Sequence, residues 1–217
     1  MENELLNKIV KILDEKKAID VKTIDIKEKS SLADYMVVAS GTSTTHIKAL
    51  ADNVEEELKK ENMLDNTVII IYGDHDARIE KSEWNRFYNY DYKTSSIKSS
   101  DDESYVDIDY YFYEINKKVP FIIWSNDEKF KTTLSKEIKE VGGMIDVGPT
   151  IMNLLGIHNK YFLGNDLLNK ENNIVVFPNG NFVTDKVYYS ELKNEYKLLK
   201  DVPIEENYIE NCKTYTE

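Results

Sequence analysis

The stretch that decides the fold reads Thr67-Val68-Ile69-Ile70-Ile71-Tyr72-Gly73-Asp74-His75. Its first six residues are a continuous apolar run of strand length, which is typical of a parallel strand buried on both faces. Gly73 ends the strand, and a carboxylate and an imidazole follow at its carboxyl end, where open α/β sheets place their ligands. The stretch therefore predicts an α/β fold with a candidate site just after this strand.

Asp74 and His75 are the candidate site residues. A carboxylate oxygen and an imidazole nitrogen suit Mn, Zn or a similar divalent metal, which would polarise a phosphoryl or sulfuryl oxygen. Adjacent side chains of an extended strand point to opposite faces, so both ligate one ion only if the backbone turns, and Gly73 favours that turn. The alternative is that Asp74 caps the following turn and His75 is a surface residue. Residue types alone leave both readings open.

The residues before this stretch predict two helices and two strands. Apolar residues at helical spacing from Leu5 onwards predict an amphipathic helix that ends near Lys17. Short β-branched runs over 21–26 and 33–39 predict neighbouring strands. The hydroxyls after Gly41 supply an N-cap for a helix over 43–61. Its apolar stripe consists of Ile47, Leu50, Ala51, Val54 and Leu58.

The residues after the stretch predict a second buried strand over 119–124, reached through a polar and tyrosine-rich insertion that spans about 88–117. Residues 93–103 of that insertion are expected to form a mobile surface loop. A short helix should begin with Pro149 as its first residue and stop at Gly156. Residues 174–184 predict a hairpin with an Asn-Gly turn, whereas residues after about 201 show no strong periodicity.

Composition limits the classes of function. The net charge of −12 repels phosphate backbones, so neither DNA nor an anionic membrane surface is an expected partner. The single cysteine, Cys212, excludes an intrachain disulfide, and no apolar run is long enough for a membrane span. The acidic start of the chain does not look like an export signal, which makes the cytoplasm the expected location.

Residue usage changes near position 62. The first 62 residues contain one tyrosine, Tyr35, whereas all 4 prolines and both tryptophans of the chain lie after that position. Two segments with different amino-acid usage suggest two evolutionary origins. We therefore predict one domain over 1–62 and another over 63–217.

The later segment resembles a known enzyme family. The order and spacing of its motifs across about 63–190 are similar to the C-terminal part of lipoteichoic acid synthase-like proteins, in the sulfatase and alkaline phosphatase superfamily. The motifs that carry this resemblance are Asn66–Arg78, Lys118–Trp124, Ile145–Ile151, Leu154–Ile157, Leu163–Leu168 and Val176–Phe182. The resemblance implies that Asp74 and His75 bind a catalytic divalent metal, Mn or Mg, in a phosphoglycerol transferase or sulfatase-like enzyme.

The resemblance also implies residues that this sequence lacks. The family's second metal carboxylate, its threonine nucleophile, and its substrate-binding arginine and histidine all precede the Asp-His strand, and none has a counterpart here. Two ligands hold an ion weakly, and the reaction has no attacking group. We therefore expect no catalytic residue in this chain and weak metal binding at most.

The earlier segment resembles a different family, the ribosomal silencing factors, also called Iojap-like proteins. Nearly every residue from 4 to 60 fits the N-terminal half of that family. The stretches that carry the resemblance are Leu5–Leu6, Ile12–Ala18, Ser30–Met36, Val38–Ser43 and His46–Leu58. The resemblance implies the large ribosomal subunit as a partner, a block on subunit joining, and no cofactor.

The two resemblances together predict a chimera. In both families a helix leads into an apolar strand that ends in Tyr-Gly-Asp, so Tyr72-Gly73-Asp74 fits either one, and His75 marks the enzyme-like segment. The expected fold is α/β, a mixed sheet with flanking helices in which 67–72 lies near the centre. Lost pairing partners should leave sheet edges that favour self-association. Three functions remain open: a catalytically incomplete enzyme remnant, a ribosome-binding antiassociation factor, or a fusion product without a selected function.

Overall fold

The protein has helices and short strands throughout its chain. The computed structural model describes residues 2–134, 137–171 and 173–216. In these stretches the helices are α1 (Glu2–Glu15), α2 (Thr44–Lys60), α3 (Lys81–Asn89), α4 (Tyr110–Ile115), α5 (Glu128–Leu134), α6 (Met144–Leu154) and α7 (Tyr208–Lys213). The strands are β1 (Ile19–Asp25), β2 (Tyr35–Ser40), β3 (Val68–Tyr72), β4 (Tyr90–Asp91), β5 (Ser96–Ile97), β6 (Phe121–Ser125), β7 (Ile174–Val176), β8 (Phe182–Thr184), β9 (Val187–Ser190) and β10 (Glu195–Leu198).

The strands form four small sheets in the described residues. β1 pairs with β2, β3 with β6, and β4 with β5, while the fourth sheet has the order β10-β9-β8-β7. Every pairing is antiparallel. The α/β class is confirmed, but the strands are spread over several small sheets and β3 belongs to a two-stranded one.

The expectation of a parallel β3 buried on both faces was wrong. β3 runs antiparallel to β6, with Ile69 opposite Trp124 and Tyr72 opposite Phe121. Val68 and Ile122 keep 44% and 50% of their surface exposed, so the ladder is only partly covered. An apolar run reports that a strand is partly buried, but it carries no information on the direction of its partner. The long connection from 73 to 120 brings β6 back in the opposite direction.

The described residues form two compact units, each discontinuous in sequence. The first contains the described residues of Met1–Tyr72, Phe121–Lys139 and Asp146–Leu168, and the second contains those of Gly73–Pro120, Glu140–Ile145 and Asn169–Glu217. The first unit combines residues from both sides of position 62. The domain boundary at residue 62 stays a prediction.

The core of the first unit is aliphatic. α1 and α2 lie against each other and bury one face each, and Leu58 of α2 is fully buried. The buried members of this core are Ile12, Leu13, Leu50, Val54, Leu58 and Leu64. Ile69 and Trp124, a cross-strand pair of β3 and β6, pack against it. The helical spacing of the apolar residues therefore corresponds to the face that is buried.

The core of the second unit contains aromatic and sulfur-bearing side chains. Phe182 and Tyr189 stack with ring centroids 4.8 Å apart, and Val187 and Cys212 complete the buried set. Cys212 comes from α7, which the sequence did not predict because the residues around it lack periodicity. The strands β9 and β10 were not predicted either.

Several local predictions are confirmed. Ser43 is the N-cap of α2, where its hydroxyl accepts a hydrogen bond from the backbone N–H of His46. The hairpin β7–β8 forms, and Gly180 takes a left-handed φ of 80° that favours glycine. Gly156 ends α6 with a φ of 68°, in a Schellman motif closed by the bond from Ile157 N–H to Met152 O.

Two boundaries differ from the prediction. α6 begins at Met144, so Pro149 lies inside the helix and is not its first residue. The proline ring has no N–H to donate to the carbonyl of residue 145, so the helix lacks one internal backbone bond at this position. In the insertion, residues 93–103 do not form one continuous loop, because β4 and β5 make a short hairpin across 90–97.

Candidate functional site

The Asp74–His75 pair follows β3 as predicted. Gly73 donates its N–H to Pro120 O at 3.1 Å, and a Cβ placed on Gly73 would lie 3.1 Å from Val119 Cβ. Among the described residues the glycines with positive φ are Gly156 and Gly180, so Gly73 is not needed for an unusual dihedral angle. Its role is the close approach to Val119, which differs from the conformational role expected from the sequence.

The imidazole of His75 is oriented by a backbone carbonyl. Its Nδ1 lies 2.5 Å from Asp76 O, and an imidazole nitrogen can bond to a carbonyl oxygen only as a donor. In the neutral imidazole this contact places the proton on Nδ1 and the lone pair on Nε2. This is the arrangement that fixes the tautomer of histidines that ligate metals through Nε2.

The two potential ligand atoms face the same region of solvent. His75 Nε2 lies 3.7 Å from Asp74 Oδ1, and the side chains are 52% and 86% exposed. Because metal–nitrogen and metal–oxygen distances for zinc-like ions are each about 2.0–2.2 Å, two donors about 3.7 Å apart can share one ion. The distance is therefore compatible with a pair of ligands, and metal binding at Asp74 and His75 stays a prediction.

A third protein ligand is the missing part of this arrangement. Asp76 is the nearest carboxylate in sequence, but its Oδ2 accepts the backbone N–H of Arg78 at 3.0 Å. In residues 2–134, 137–171 and 173–216, no group of three or more His, Cys, Asp or Glu side chains is placed to hold a metal. Two exposed ligands leave most of the coordination shell to water, which predicts weak and readily exchanged binding.

The second candidate surface lies in the first unit, on the loop 31–35 and the start of α2. His46 Nε2 bonds to Lys16 O at 2.9 Å, and His46 Nδ1 accepts the N–H of Thr42 at 3.1 Å. This imidazole joins the end of α1 to the start of α2, so its role is structural. On the exposed side of α2, Lys48 pairs with Asp52 and Asn53 bonds to Ala49 O.

One buried carboxylate was missed by the sequence analysis. Asp146 has no exposed surface and accepts the N–H of Asn165 at 2.7 Å, while Thr150 accepts the N–H of Leu167 at 3.0 Å. An acidic residue inside an apolar helical stretch, four positions before a threonine, is the signal that would have found it. Together the two side chains fasten the loop after α6 to the helix.

Comparisons with known proteins give two separate similarities. Residues 1–100 match the family model described as "Ribosomal silencing factor during starvation". Lipoteichoic acid synthase 2 of Bacillus subtilis is 29% identical over 143 residues, which are 64% of this chain and 19% of that protein. Lipoteichoic acid synthase of Staphylococcus aureus (strain USA300) is 29% identical over 189 residues, which are 83% of this chain and 26% of that protein.

A solved structure is also similar. The lipoteichoic acid synthase LtaP from Listeria monocytogenes matches with 22% identity and a TM-score of 0.49, over 79% of this chain and 41% of that one. This chain spans about a quarter or less of the length of the curated relatives described above.

The chain is a two-part composite, with a region similar to ribosomal silencing factors and a region similar to lipoteichoic acid synthases. The two matches overlap, because the first extends to residue 100 and the second is too long to be confined to residues 63–217. The overlap includes β3, the strand whose Tyr-Gly-Asp ending suits either family.

None of the helices in the described parts of the chain is both long enough and apolar enough to cross a membrane.

Proposed function

We propose that the chain is a catalytically incomplete remnant of a metal-dependent phosphoglycerol transferase, joined to part of a ribosomal silencing factor. In this proposal Asp74 and His75 hold Mn or Mg weakly, and no residue of the chain supplies the nucleophile. The observation that carries it is the geometry of the pair: the imidazole Nε2 and a carboxylate oxygen lie 3.7 Å apart, both on exposed side chains.

The chemistry that a metal would supply is Lewis-acid polarisation of a phosphoryl oxygen. Within the chain, the carbonyl of Asp76 holds the His75 proton on Nδ1, and the Asp74 carboxylate contributes negative charge. Transfer of phosphoglycerol needs a hydroxyl held against the metal, and the proposal assigns that role to no residue of the chain. The proposal is therefore binding without turnover.

The metal proposal is tested by titrating the purified chain with Mn²⁺ and following paramagnetic broadening of backbone NMR signals. We expect broadening centred on residues 73–78 that is lost in His75→Ala and in Asp74→Ala. His158→Ala and Asp201→Ala remove the same residue types elsewhere and should leave the broadening unchanged. Broadening that persists in both site variants would contradict the assignment.

The absence of turnover is tested with a phosphodiester substrate in the presence of Mn²⁺. We expect no release of product above the metal-only background. Metal-dependent turnover that disappears in Asp74→Ala would overturn this part of the proposal, and it would imply that another residue supplies the attacking group.

A second candidate function is binding to the large ribosomal subunit. It is favoured by the core of the first unit, where α1 and α2 bury a continuous aliphatic face formed largely by residues before position 65. With that core in place, the loop 31–35 and the exposed side of α2 over 46–53 would form the docking surface. This proposal includes a cytoplasmic location, since the partner is found there.

The expected ribosome affinity is low, because the family's docking face also draws on strands that are replaced here. We propose a co-sedimentation assay with isolated large subunits, in which this chain pellets more weakly than a complete silencing factor. Lys48→Glu reverses a charge on the proposed surface and should remove the residual binding, whereas Lys11→Glu on α1 should not. Pelleting as strong as that of the complete factor would contradict the reduced affinity.

We also propose self-association through sheet edges. β3 and β6 each have one ladder partner, and Val68 of β3 is 44% exposed. Such edges template pairing with a second copy unless they are blocked. Light scattering after size exclusion should show a mass that rises with concentration, and Val68→Lys should suppress the rise. A concentration-independent monomer would rule this out.

A further inference from the structure

The first unit contains a cleft that the proposed functions do not use. It has a volume of about 390 Å³ and lies between one face of α6 and the loop that follows. Pro149, Met152 and Asn153 of α6 line one side of it, since positions i, i+3 and i+4 share one helix face, and Gly156 follows directly after the helix. The remaining lining residues belong to the loop and are Ile157, His158, Asn159, Lys160, Phe162, Gly164 and Asp166. The volume is in the range of small-molecule sites, about 300–1,000 Å³.

The cleft is framed by hydrogen bonds at both ends of the loop. At its start, Ile157 N–H bonds to Met152 O at 2.8 Å. At its end, Asn165 N–H bonds to buried Asp146, and Leu167 N–H bonds to Thr150 Oγ1. These bonds fix the loop against the helix, so the cleft exists before any ligand arrives, and binding does not require the loop to be ordered first.

Three side chains of the cleft lining, Met152, Ile157 and Phe162, are apolar. Phe162 lies on α6 at a point where Gly148 has no side chain, because a Cβ on Gly148 would come within 2.9 Å of Phe162 Cε1. Met152 and Ile157 add aliphatic surface beside this ring. A flat ring or a short hydrocarbon body is the group that these three side chains accommodate.

One cationic and one anionic side chain, Lys160 and Asp166, line the cleft, in a protein of net charge −12. Lys160 lines the cleft and, within the described parts of the chain, makes no ion pair; its Nζ lies 5.2 Å from the ring centre of its neighbour Tyr161. His158 lies beside it. The acidic residue of the cleft, Asp166, accepts hydrogen bonds from Asn153 and from Leu168 N–H. These two bonds engage both oxygens of the Asp166 carboxylate without involving Lys160, so the ammonium is open to pairing with a ligand anion.

We propose that this cleft binds a small amphiphilic anion: a carboxylate or phosphate monoester attached to a ring or short hydrocarbon body. The oxyanion pairs with Lys160 and takes a hydrogen bond from His158, and the body lies on Met152, Ile157 and Phe162. Charge-assisted bonds to a preformed site are the interactions that give orientation to such ligands. The proposal is independent of the metal site and of ribosome binding.

The test uses NMR titration of the full chain with four probes. Phenyl phosphate and benzoate carry both parts of the proposed ligand and distinguish the two anion types. Inorganic phosphate carries the anion alone, and benzyl alcohol carries a neutral body. We expect saturable shifts at residues 149–166 with phenyl phosphate, benzoate or both, and binding at least fivefold weaker with the two partial probes.

Variants connect this binding to the named residues. Lys160→Gln should weaken the better anionic probe about tenfold, which is the loss expected for one charge-assisted hydrogen bond. Lys129→Gln removes an exposed lysine of α5 and should have no effect. Phe162→Ala should weaken the same probe while the amide spectrum outside 149–166 stays unchanged, which excludes unfolding. Absence of saturable binding, equal binding of benzyl alcohol, or unchanged affinity in Lys160→Gln would each overturn the proposal.

Discussion

The cores of the two units are built from different kinds of side chain. In the first unit every buried core member is aliphatic, and α2 alone contributes Leu50, Val54 and Leu58. In the second, Phe182, Val187, Tyr189 and Cys212 form the core, with Tyr208 packed against it. Beside them Asn181 is 2% exposed and donates to the hydroxyl of Tyr188 at 3.0 Å. The aliphatic cluster of the first unit contains no polar side chain, whereas the core of the second has a buried hydrogen-bonded asparagine beside it.

The difference has consequences for how each unit responds to change. An aliphatic core loses stability when its volume is reduced, because the lost contacts and the resulting cavity both contribute. A core with buried polar groups also loses stability when one partner of a hydrogen bond is removed, since the other partner remains buried without its bond.

The chain has one tryptophan in each unit, Trp124 in the first and Trp84 in the second. Trp84→Phe and Trp124→Phe therefore give single-tryptophan proteins that report on one unit at a time.

The largest effect is expected from Leu58→Ala. Leu58 has no exposed surface, so the substitution should lower the unfolding free energy of the first unit by about 2–5 kcal/mol. Urea denaturation followed by Trp124 fluorescence in the Trp84→Phe background measures the change. Leu32→Ala makes the same substitution at a side chain that is 70% exposed and should change the midpoint little. An equal loss in both variants would show that packing around α2 is not what holds this unit.

A smaller effect is expected from Asn181→Ala in the second unit. Asn181 donates to Tyr188 and accepts the N–H of Glu191 at 2.9 Å, so the substitution leaves buried groups without partners and should cost about 1–3 kcal/mol. Trp84 fluorescence in the Trp124→Phe background provides the measurement. Asn207→Ala is the matched control, because the exposed Asn207 precedes α7 without a side-chain capping bond. If the two variants unfold at the same urea concentration, the polar network does not stabilise the unit.

Elements whose signals lie close together in the chain could be predicted from the sequence, and those that depend on distant residues could not. α2 was predicted with its cap because Ser43 and the apolar residues at i, i+3 and i+4 act within one helix. The β7–β8 hairpin was predicted because the Asn179-Gly180 turn is also local. α7 was missed because Cys212 is buried by strands more than twenty residues earlier in the chain, and a short segment carries little period of its own.

The place of Asp74 and His75 in the fold could be predicted, whereas their role as metal ligands stays a prediction. The motif of an apolar strand followed by glycine, aspartate and histidine predicted that Asp74 and His75 come directly after the strand, and in the structure they follow β3. The antiparallel direction of β6 was not predictable, since the run Val68–Tyr72 contains no information about its partner. The bond from His75 to Asp76 O depends on local backbone angles after the strand, which residue types do not specify. Experiments on the candidate metal site therefore need the contacts seen in the structure, because the motif alone does not give them.

The smallest effect is expected from alkaline pH, and it should distinguish the cores without any substitution. Burial raises the pKa values of Tyr188, Tyr189, Tyr208 and Cys212, all in the second unit. A raised pKa means that the folded state holds its proton more tightly than the unfolded chain. Stability from these groups is therefore present at neutral pH and declines as pH rises past their ordinary values, about 8.5 for a thiol and about 10 for a phenol.

The buried aliphatic core of the first unit has no such group, so the urea midpoint reported by Trp84 should fall between about pH 7.5 and about pH 10.5 by more than that reported by Trp124. Tyr188→Phe should reduce this extra loss, because the phenol that resists ionisation is gone. Tyr215→Phe, at a tyrosine that is 69% exposed, should not change it. Parallel declines in the two midpoints would mean that the general rise in negative charge, and not the buried phenols and thiol, sets the alkaline limit of the protein.

Native Cys212 should in addition react slowly with iodoacetamide until the second unit unfolds, because its thiol is both buried and poorly ionised.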